Sequence, residues 1–176
     1  MKEEFLMAEP LTLYKLIVLY MLEKVNFPLT NGQISAFILD QGYTTYFNLQ
    51  QAINELLESD LIQCETVRNH SQYRITPSGS GTLEYFQNKI STAIRQDIDD
   101  YLKDHQLELR NEVAVTAEYF KNTAGEYSVH CVVKEHKGEL IDLTVTAPDR
   151  RQAAAMCDHW HEKCQKIYQT IMEELQ

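Results

Sequence analysis

The sequence has no long uninterrupted run of apolar residues. Its longest such run, Leu16 to Leu22, falls far short of the roughly 20 residues that span a bilayer. No signal-peptide pattern follows the acidic start at Glu3 and Glu4. The four cysteines are not closely paired, which is typical of a reducing compartment. We therefore expect a cytoplasmic protein with no membrane partner.

Excess positive charge is also missing. The formal net charge is −10, and neither half is basic: residues 1–80 carry five Lys/Arg and nine Asp/Glu, and residues 81–176 carry eleven and seventeen. A nucleic-acid-binding domain usually shows a basic footprint. This balance argues against strong non-specific DNA binding, so any DNA contact must come from a local arrangement of side chains.

The chain lacks the common catalytic motifs. It has no phosphate-binding glycine loop, nucleophile elbow or dinucleotide fingerprint. Cys131 could be read as a nucleophile beside His130 and His136. Adjacent residues on a strand point to opposite faces, however, so Cys131 and His130 should not meet. We expect no enzymatic activity and no cofactor.

A cluster near the C-terminus resembles a metal site only in composition. On a helix, Cys157, His161 and Cys164 would share a face, whereas His159 would point elsewhere. Both cysteines also fall on the apolar stripe of Trp160, where cysteine behaves as a small hydrophobic residue. We therefore expect these cysteines to be buried and free of metal.

Three helices are predicted at the start of the chain. The first covers residues 11–24. Thr30 and Gln33 have capping-box spacing and open the second, over residues 33–40, which Gly42 would end. Thr44 or Thr45 caps the third, which runs to about residue 59. Its predicted buried stripe consists of Tyr46, Leu49, Ile53 and Leu56.

The pattern then changes from helix to strand. Residues 61–68 and 72–76 predict two strands joined by a turn at residues 69–71. Three helices followed by a β-hairpin is the winged-helix order, and the short turn between the second and third helices is typical of a helix-turn-helix. The N-terminal domain is thus expected to be a winged helix over residues 1–80.

Residues 77–81, which contain Pro and Gly, indicate a boundary. We expect a connecting segment over residues 81–110, with a long helix over residues 81–103. The apolar stripe of this helix is longer than a small domain can cover alone. Either the C-terminal domain or a second subunit must bury this stripe. We predict a homodimer in which Leu83, Phe86, Ile90 or Ile94 is buried between subunits.

The last part of the chain alternates polar and apolar residues. Three strands are predicted over residues 113–147, with turns at 122–125 and 137–138, and a helix over 149–175 would cover their apolar face. The fold class is therefore α+β: a winged helix-turn-helix, a connecting helix, and an antiparallel three-stranded sheet plus helix (βββα) over residues 111–176.

Several segments carry a resemblance to known regulators. Residues 56–62, followed by a hairpin and the YRIT strand, resemble PadR-like and MarR-like regulators. The combination of GYTTYFNLQQAINELLESDLI, YRITPSG and LEYFQNKI resembles the domain of unknown function 4364 family over most of the chain. That resemblance implies a winged-helix fold and transcriptional regulation as a class. It implies no catalytic residue, ligand or operator.

The predicted third helix contains no Lys or Arg. Asn and Gln can hydrogen-bond adenine bidentately, and Thr can contact a thymine methyl group. The residues predicted to contact DNA are Thr44, Thr45, Asn48, Gln51 and Asn54 in this helix, and Arg68, His70 and Arg74 in the wing. A merely solvated polar face, with two charged strand residues and a turn histidine, is the alternative.

We expect, on this basis, a homodimeric transcriptional regulator that binds duplex DNA. A winged helix used for protein–protein contact is the alternative, favoured by the net charge and by the uncharged third helix. The sequence identifies no effector and gives no role for the C-terminal domain.

Overall fold

The computed structural model describes the backbone of residues 2–67, 70–135 and 138–176, and the side chains from residue 10 onward within these ranges. Contacts divide the chain into two compact units, residues 1–109 and 110–176. Each unit has its own antiparallel three-stranded sheet. The expected α+β class is confirmed.

The described elements alternate between helices and strands. The helices are α1 (Lys2–Lys24), α2 (Asn31–Asp40), α3 (Tyr46–Glu58), α4 (Pro77–Phe86), a 3-10 turn (Gln87–Lys89), α5 (Thr92–Ala114) and α6 (Arg150–Leu175). The strands are β1 (Leu29–Thr30), β2 (Ile62–Val67), β3 (His70–Ile75), β4 (Val115–Lys121), β5 (Tyr127–Glu135) and β6 (Gly138–Ala147). Within the described ranges, no helix is both apolar enough and long enough to cross a membrane.

The core of the first unit forms around α1. Residues 16–22 of this helix are all buried, and α1 packs mainly against α3 and α4. The sheet has the order β1-β3-β2, with Leu29 opposite Tyr73 and Cys64 opposite Tyr73 on the other side. A hairpin therefore follows α3 directly, and the two-residue strand β1 extends its sheet.

Local capping signals position α2 and α3 as the sequence predicts. The backbone N–H of Gln33 donates to Thr30 Oγ1 at 3.1 Å, and the backbone N–H of Thr30 donates to Gln33 Oε1 at 2.9 Å, so the capping box is confirmed. Gly42 has a φ of 68°, the left-handed conformation that ends a helix at low cost for glycine. Thr45 caps α3 by accepting from the backbone N–H of Asn48.

The segment after the hairpin differs from the prediction. Residues 77–81, predicted to mark a boundary before a helix, already belong to α4, because Pro77 occupies the first turn and Thr76 caps the helix. The predicted helix over residues 81–103 is interrupted by the 3-10 turn and by extended backbone at Ile90. A second helix, α5, then continues to Ala114, well past the predicted end.

This interruption changes the setting of the predicted dimer stripe. Leu83 is 4% exposed and Ile90 is fully buried within the chain, so neither side chain has surface to offer a second subunit. Phe86 and Ile94 are half-buried. Because the chain turns at Ile90, the four residues do not form one continuous helical stripe.

The second unit has the expected βββα order. Its sheet has the order β4-β5-β6, and α6 packs on one face of it. Trp160 is buried and donates its indole N–H to the carbonyl oxygen of Val132 at 3.3 Å. The buried cluster around it consists of Ala117, Val129, Cys131, Ala147, Ala153 and Cys157.

Candidate nucleic-acid interface

Helix α3 is held against α2 by a pair of side-chain amides. Asn31 Nδ2 donates to Gln50 Oε1 at 3.1 Å, and Gln50 Nε2 donates to Asn31 Oδ1 at 2.9 Å. Asn31 is the first residue of α2 and Gln50 lies in the second turn of α3. This reciprocal pair fixes the relative position of the two helices. Neither residue was singled out from the sequence, since amide pairs have no spacing signature.

A stripe of exposed side chains runs along α3. Phe47, Gln51, Asn54 and Glu58 are all exposed and follow one another at intervals of four, three and four residues, which places them on one helix face. Asn48 is half-buried beside this stripe, and Thr45 is exposed at the helix cap. The structure thus brings together four of the five predicted α3 contacts: Thr45, Asn48, Gln51 and Asn54.

One prediction about the start of α3 is wrong, and the structure adds an observation about the residue before its cap. Tyr46 is 55% exposed instead of buried, because the core contact of α3 begins only at Leu49. The hydroxyl oxygen of Thr44 is buried and has no hydrogen-bond partner among the described residues. Thr44 as a whole is half-buried, and its predicted contact with DNA stays a prediction.

An exposed phenylalanine is the feature that sequence reasoning overlooked. Phe47 is 76% exposed and stands at the N-terminal end of the stripe. Phe47 precedes the buried Leu49 by two residues, and residues two apart lie on nearly opposite sides of a helix, so Phe47 lies outside the buried face. The spacing of Phe47 from the buried residues of the helix could have identified it, from the sequence, as an aromatic side chain directed at solvent.

The electrostatics of α3 are mildly acidic. Its charged residues are Glu55 and Glu58, and it carries no Lys or Arg. Lys15 of α1 forms an ion pair with Glu55 at 2.9 Å. The hydrogen bond from Lys15 lowers the pKa of Glu55, and the neighbouring positive charge acts in the same direction. One of the two carboxylates is thereby compensated.

The hairpin carries an exposed arginine and an exposed histidine. Arg74 and His70 are exposed on β3, on the same sheet face, because they are four residues apart in a strand. Gln63 of β2 lies opposite Arg74. The predicted contact at Arg68 lies outside the described residues. The described part of the hairpin therefore offers Arg74 as its one arginine.

The cysteines and histidines that were considered as a metal site do not form one in the described part of the chain. Within it, no group of three or more His, Cys, Asp or Glu side chains could hold a metal ion. Cys157 is buried beside Trp160, and Cys164 is half-buried. His159 and His161 are exposed.

Around Cys131 the arrangement also follows strand geometry. Cys131 is buried in the core, whereas His130 lies on the other sheet face, with its Nε2 2.7 Å from Asp142 Oδ1 and its Nδ1 3.7 Å from Glu118 Oε1. His136 lies outside the described residues. Cys131 and His130 therefore do not meet, as the sequence predicts.

Comparisons with known proteins give one match. The family model for a domain of unknown function (DUF4364) matches residues 14–175. No curated protein and no solved structure matches the chain. The match covers both units and nearly the whole sequence, so this chain belongs to the DUF4364 family.

Proposed function

We propose that the first unit is a winged helix that binds duplex DNA and that the chain acts as a homodimeric transcriptional regulator. The order of elements supports this: α1, β1, α2, a short turn, α3 and the β2–β3 hairpin. In proteins with this order, the third helix enters the major groove and the hairpin forms the wing. PadR-like and MarR-like regulators share that plan, as the sequence resemblance implies.

The chemistry of the α3 stripe carries the proposal. Gln51 and Asn54 present exposed amides, which match the donor and acceptor of adenine in the major groove. Phe47 on the same face provides an apolar surface, which suits the methyl group of thymine. An A·T-containing operator is therefore the duplex that this face fits best.

Charge sets the character of the binding. A protein with a net charge of −10 is repelled by DNA at long range, so only close contacts can hold it. Arg74 at the wing is positioned for phosphate, and phosphate contacts fix the register of a protein on DNA without reading its sequence. Specificity then depends on the amides and the phenylalanine of α3.

Selection of bound sequences from random duplexes at low salt tests the proposal. We expect enrichment of an A·T-containing motif, and a Gln51→Ala variant should lose it. Gln87→Ala, which removes an exposed glutamine of the 3-10 turn in the same unit, is the matched control and should retain it. Absence of any enriched motif would contradict the proposal.

A second candidate function is contact with a protein partner through the same helix. Tyr46 and Phe47, 55% and 76% exposed, favour it, because aromatic side chains are enriched in protein interfaces. The lack of cations on α3 favours it too. Loss of a captured partner protein in Phe47→Ala, together with no enriched DNA motif, would select this function over the first.

A further inference from the structure

Strand β6 forms one edge of the sheet in the second unit. It pairs with β5 on one side, and no described strand pairs with its other side. The pairing is regular from Ile141 to Ala147, which lie opposite Val133 and Tyr127. Leu140 is an extra residue that bulges out of the ladder and ends this regular stretch. Along these seven residues, every second one directs its backbone N–H and C=O groups away from β5, towards a further strand.

The apolar face of β6 is incompletely covered. Helix α6 packs mainly on β4 and β5. On the face shared with α6, Ile141 and Leu143 remain half-buried and Val145 is 37% exposed. Ala117 and Val129, which lie on the same face of β4 and β5, are fully buried. The sheet therefore has an open apolar row along its β6 edge.

The side chains of β6 do not protect this edge. Proteins commonly block an edge strand with Lys, Pro or inward-pointing charges. Residues 141–147 contain none of Lys, Arg, Pro or Gly, and their single charge, Asp142, already faces His130 at 2.7 Å. Strand β4 at the opposite edge carries Glu118 and Lys121. The two edges of one sheet thus differ in their suitability for pairing.

We propose that β6 pairs antiparallel with β6 of a second copy of this chain, about a two-fold axis through Thr144, to form a six-stranded sheet. In this register Thr144 lies opposite its own counterpart, and Leu143 lies opposite Val145 of the second copy. Ile141 lies opposite Ala147. All seven residues of the regular stretch find partners within it, and the open apolar rows of the two copies meet on one face.

Self-complementarity favours a second copy as the occupant. A two-fold interface requires one surface to match itself. Here Asp142 lies opposite Thr146, so no carboxylate opposes another, and like charges directly opposite would destabilise the pairing. A threonine pair at the axis and aliphatic pairs beside it are favourable cross-strand neighbours.

This interface deepens the proposed function, because it supplies the dimer that a palindromic operator requires. It replaces the stripe on α4 and α5, in which Leu83 and Ile90 are already buried. The proposed interface is tested by the mass of the protein in solution and not by DNA binding. If the chain dimerises through β6 but enriches no DNA motif, the proposed regulatory function is rejected and the interface stands. If the chain binds an operator but does not dimerise through β6, the proposed interface is rejected and the regulatory function stands.

Sedimentation of the full chain at micromolar concentration tests the interface. The parent protein should have twice the 20.5 kDa mass of one chain. Val145→Lys should have the mass of one chain, because it places a charge in the apolar row. Phe120→Lys, at a 54% exposed position on β4, should remain a dimer. A monomeric parent, or a dimeric Val145→Lys with native circular dichroism, would overturn the proposal.

Cross-linking tests the register independently of folding effects. In a background with Cys64, the exposed cysteine, changed to Ser, Thr144→Cys should form a disulfide between subunits on mild oxidation. Directly opposite residues of antiparallel strands have Cα separations of about 4.5–5.5 Å, within the range that a disulfide spans. Thr116→Cys on β4 is the control and should stay monomeric under denaturing conditions. Equal cross-linking of both variants would reject the axis at Thr144.

Discussion

Gly79 in α4 lies directly against the carbonyl oxygen of Leu61, so a methyl group at residue 79 would overlap that oxygen. Its backbone N–H also donates to Thr76 Oγ1 at 3.0 Å, which completes the cap of the helix. This close approach joins the start of α4 to the residue that precedes β2. Gly81, two residues on in the same helix, has open space where its side chain would be.

Substitution of these two glycines should have opposite effects on stability. Gly79→Ala should lower the free energy of unfolding by about 1–3 kcal/mol, because backbone must move to admit the methyl group. Gly81→Ala should raise it by about 0.5–1 kcal/mol, because glycine is costly in a helix interior. Urea unfolding of both variants measures the difference. Equal stability of the two variants would show that the close approach at Gly79 is absent.

The hydroxyl of Tyr43 should titrate late. It donates to Asp97 Oδ2 at 2.7 Å. Burial, followed by this hydrogen bond and by the charge of Asp97, raises the pKa of Tyr43 from its ordinary value of 10.0 to about 12. In the unfolded chain the hydroxyl ionises near its ordinary value, so the stabilisation is fully present below pH 10 and is lost as the pH rises towards 12.

Comparison with Tyr43→Phe measures this effect. The parent protein should be more stable than the variant below pH 10, and the difference should shrink between pH 10 and 12. Tyr85→Phe, which removes a hydroxyl from a 78% exposed side chain, is the control and should show no such pH dependence. A constant difference across this range would contradict the role of Tyr43.

Binding to DNA, under the proposed function, should depend only weakly on salt. With Arg74 as the described cation of the wing and none on α3, we expect about two or three phosphates neutralised per subunit, or about four to six per dimer, which gives a log–log slope of about −4 to −5 for the dimer. Arg74→Ala should weaken binding to all duplexes alike. Asn48→Ala and Gln51→Ala should each cost about 1–3 kcal/mol for the operator only.

Fluorescence anisotropy over a salt series measures these effects. A slope at least twice as steep as expected would indicate phosphate contacts outside α3 and the described wing. Loss of folding in Asn48→Ala or Gln51→Ala is not expected, since neither side chain belongs to the buried face of α3.

The four cysteines should differ in their reactivity. Cys64 is exposed, Cys164 is half-buried, and Cys131 and Cys157 are buried. A thiol reagent should modify Cys64 first in the native protein, and it should reach Cys131 and Cys157 only on unfolding, because access limits the reaction. Stoichiometric zinc that protects Cys157 and Cys164 would contradict this order. Cys64→Ser should remove the fast phase alone.

Local signals in the sequence predict much of this fold. Thr30 with Gln33 and the glycine at position 42 mark helix ends correctly, because their chemistry acts over three or four residues. The alternation on β5 and the stripe of Trp160 on α6 identify the second core. These patterns depend only on neighbours in the chain.

Features that depend on distant partners could not be predicted. The helix breaks at Ile90, whose side chain is fully buried within the first unit, and no local pattern records that burial. Strand β1 has two residues, too few for an alternation to appear. In the candidate interface, the Asn31–Gln50 pair joins positions 19 residues apart. The exposure of Tyr46 could not be predicted without knowing where the contact of α3 with the core begins.

Trp160 is the single tryptophan of the chain and is 2% exposed in the second core. The first unit, which contains the proposed reading helix, has tyrosines but no tryptophan. Indole emission therefore follows the unfolding of residues 110–176 alone, whereas far-ultraviolet circular dichroism follows both units. If the two signals change at different urea concentrations, the units unfold separately, and the N-terminal unit can be altered while the emission of Trp160 reports that the other remains intact.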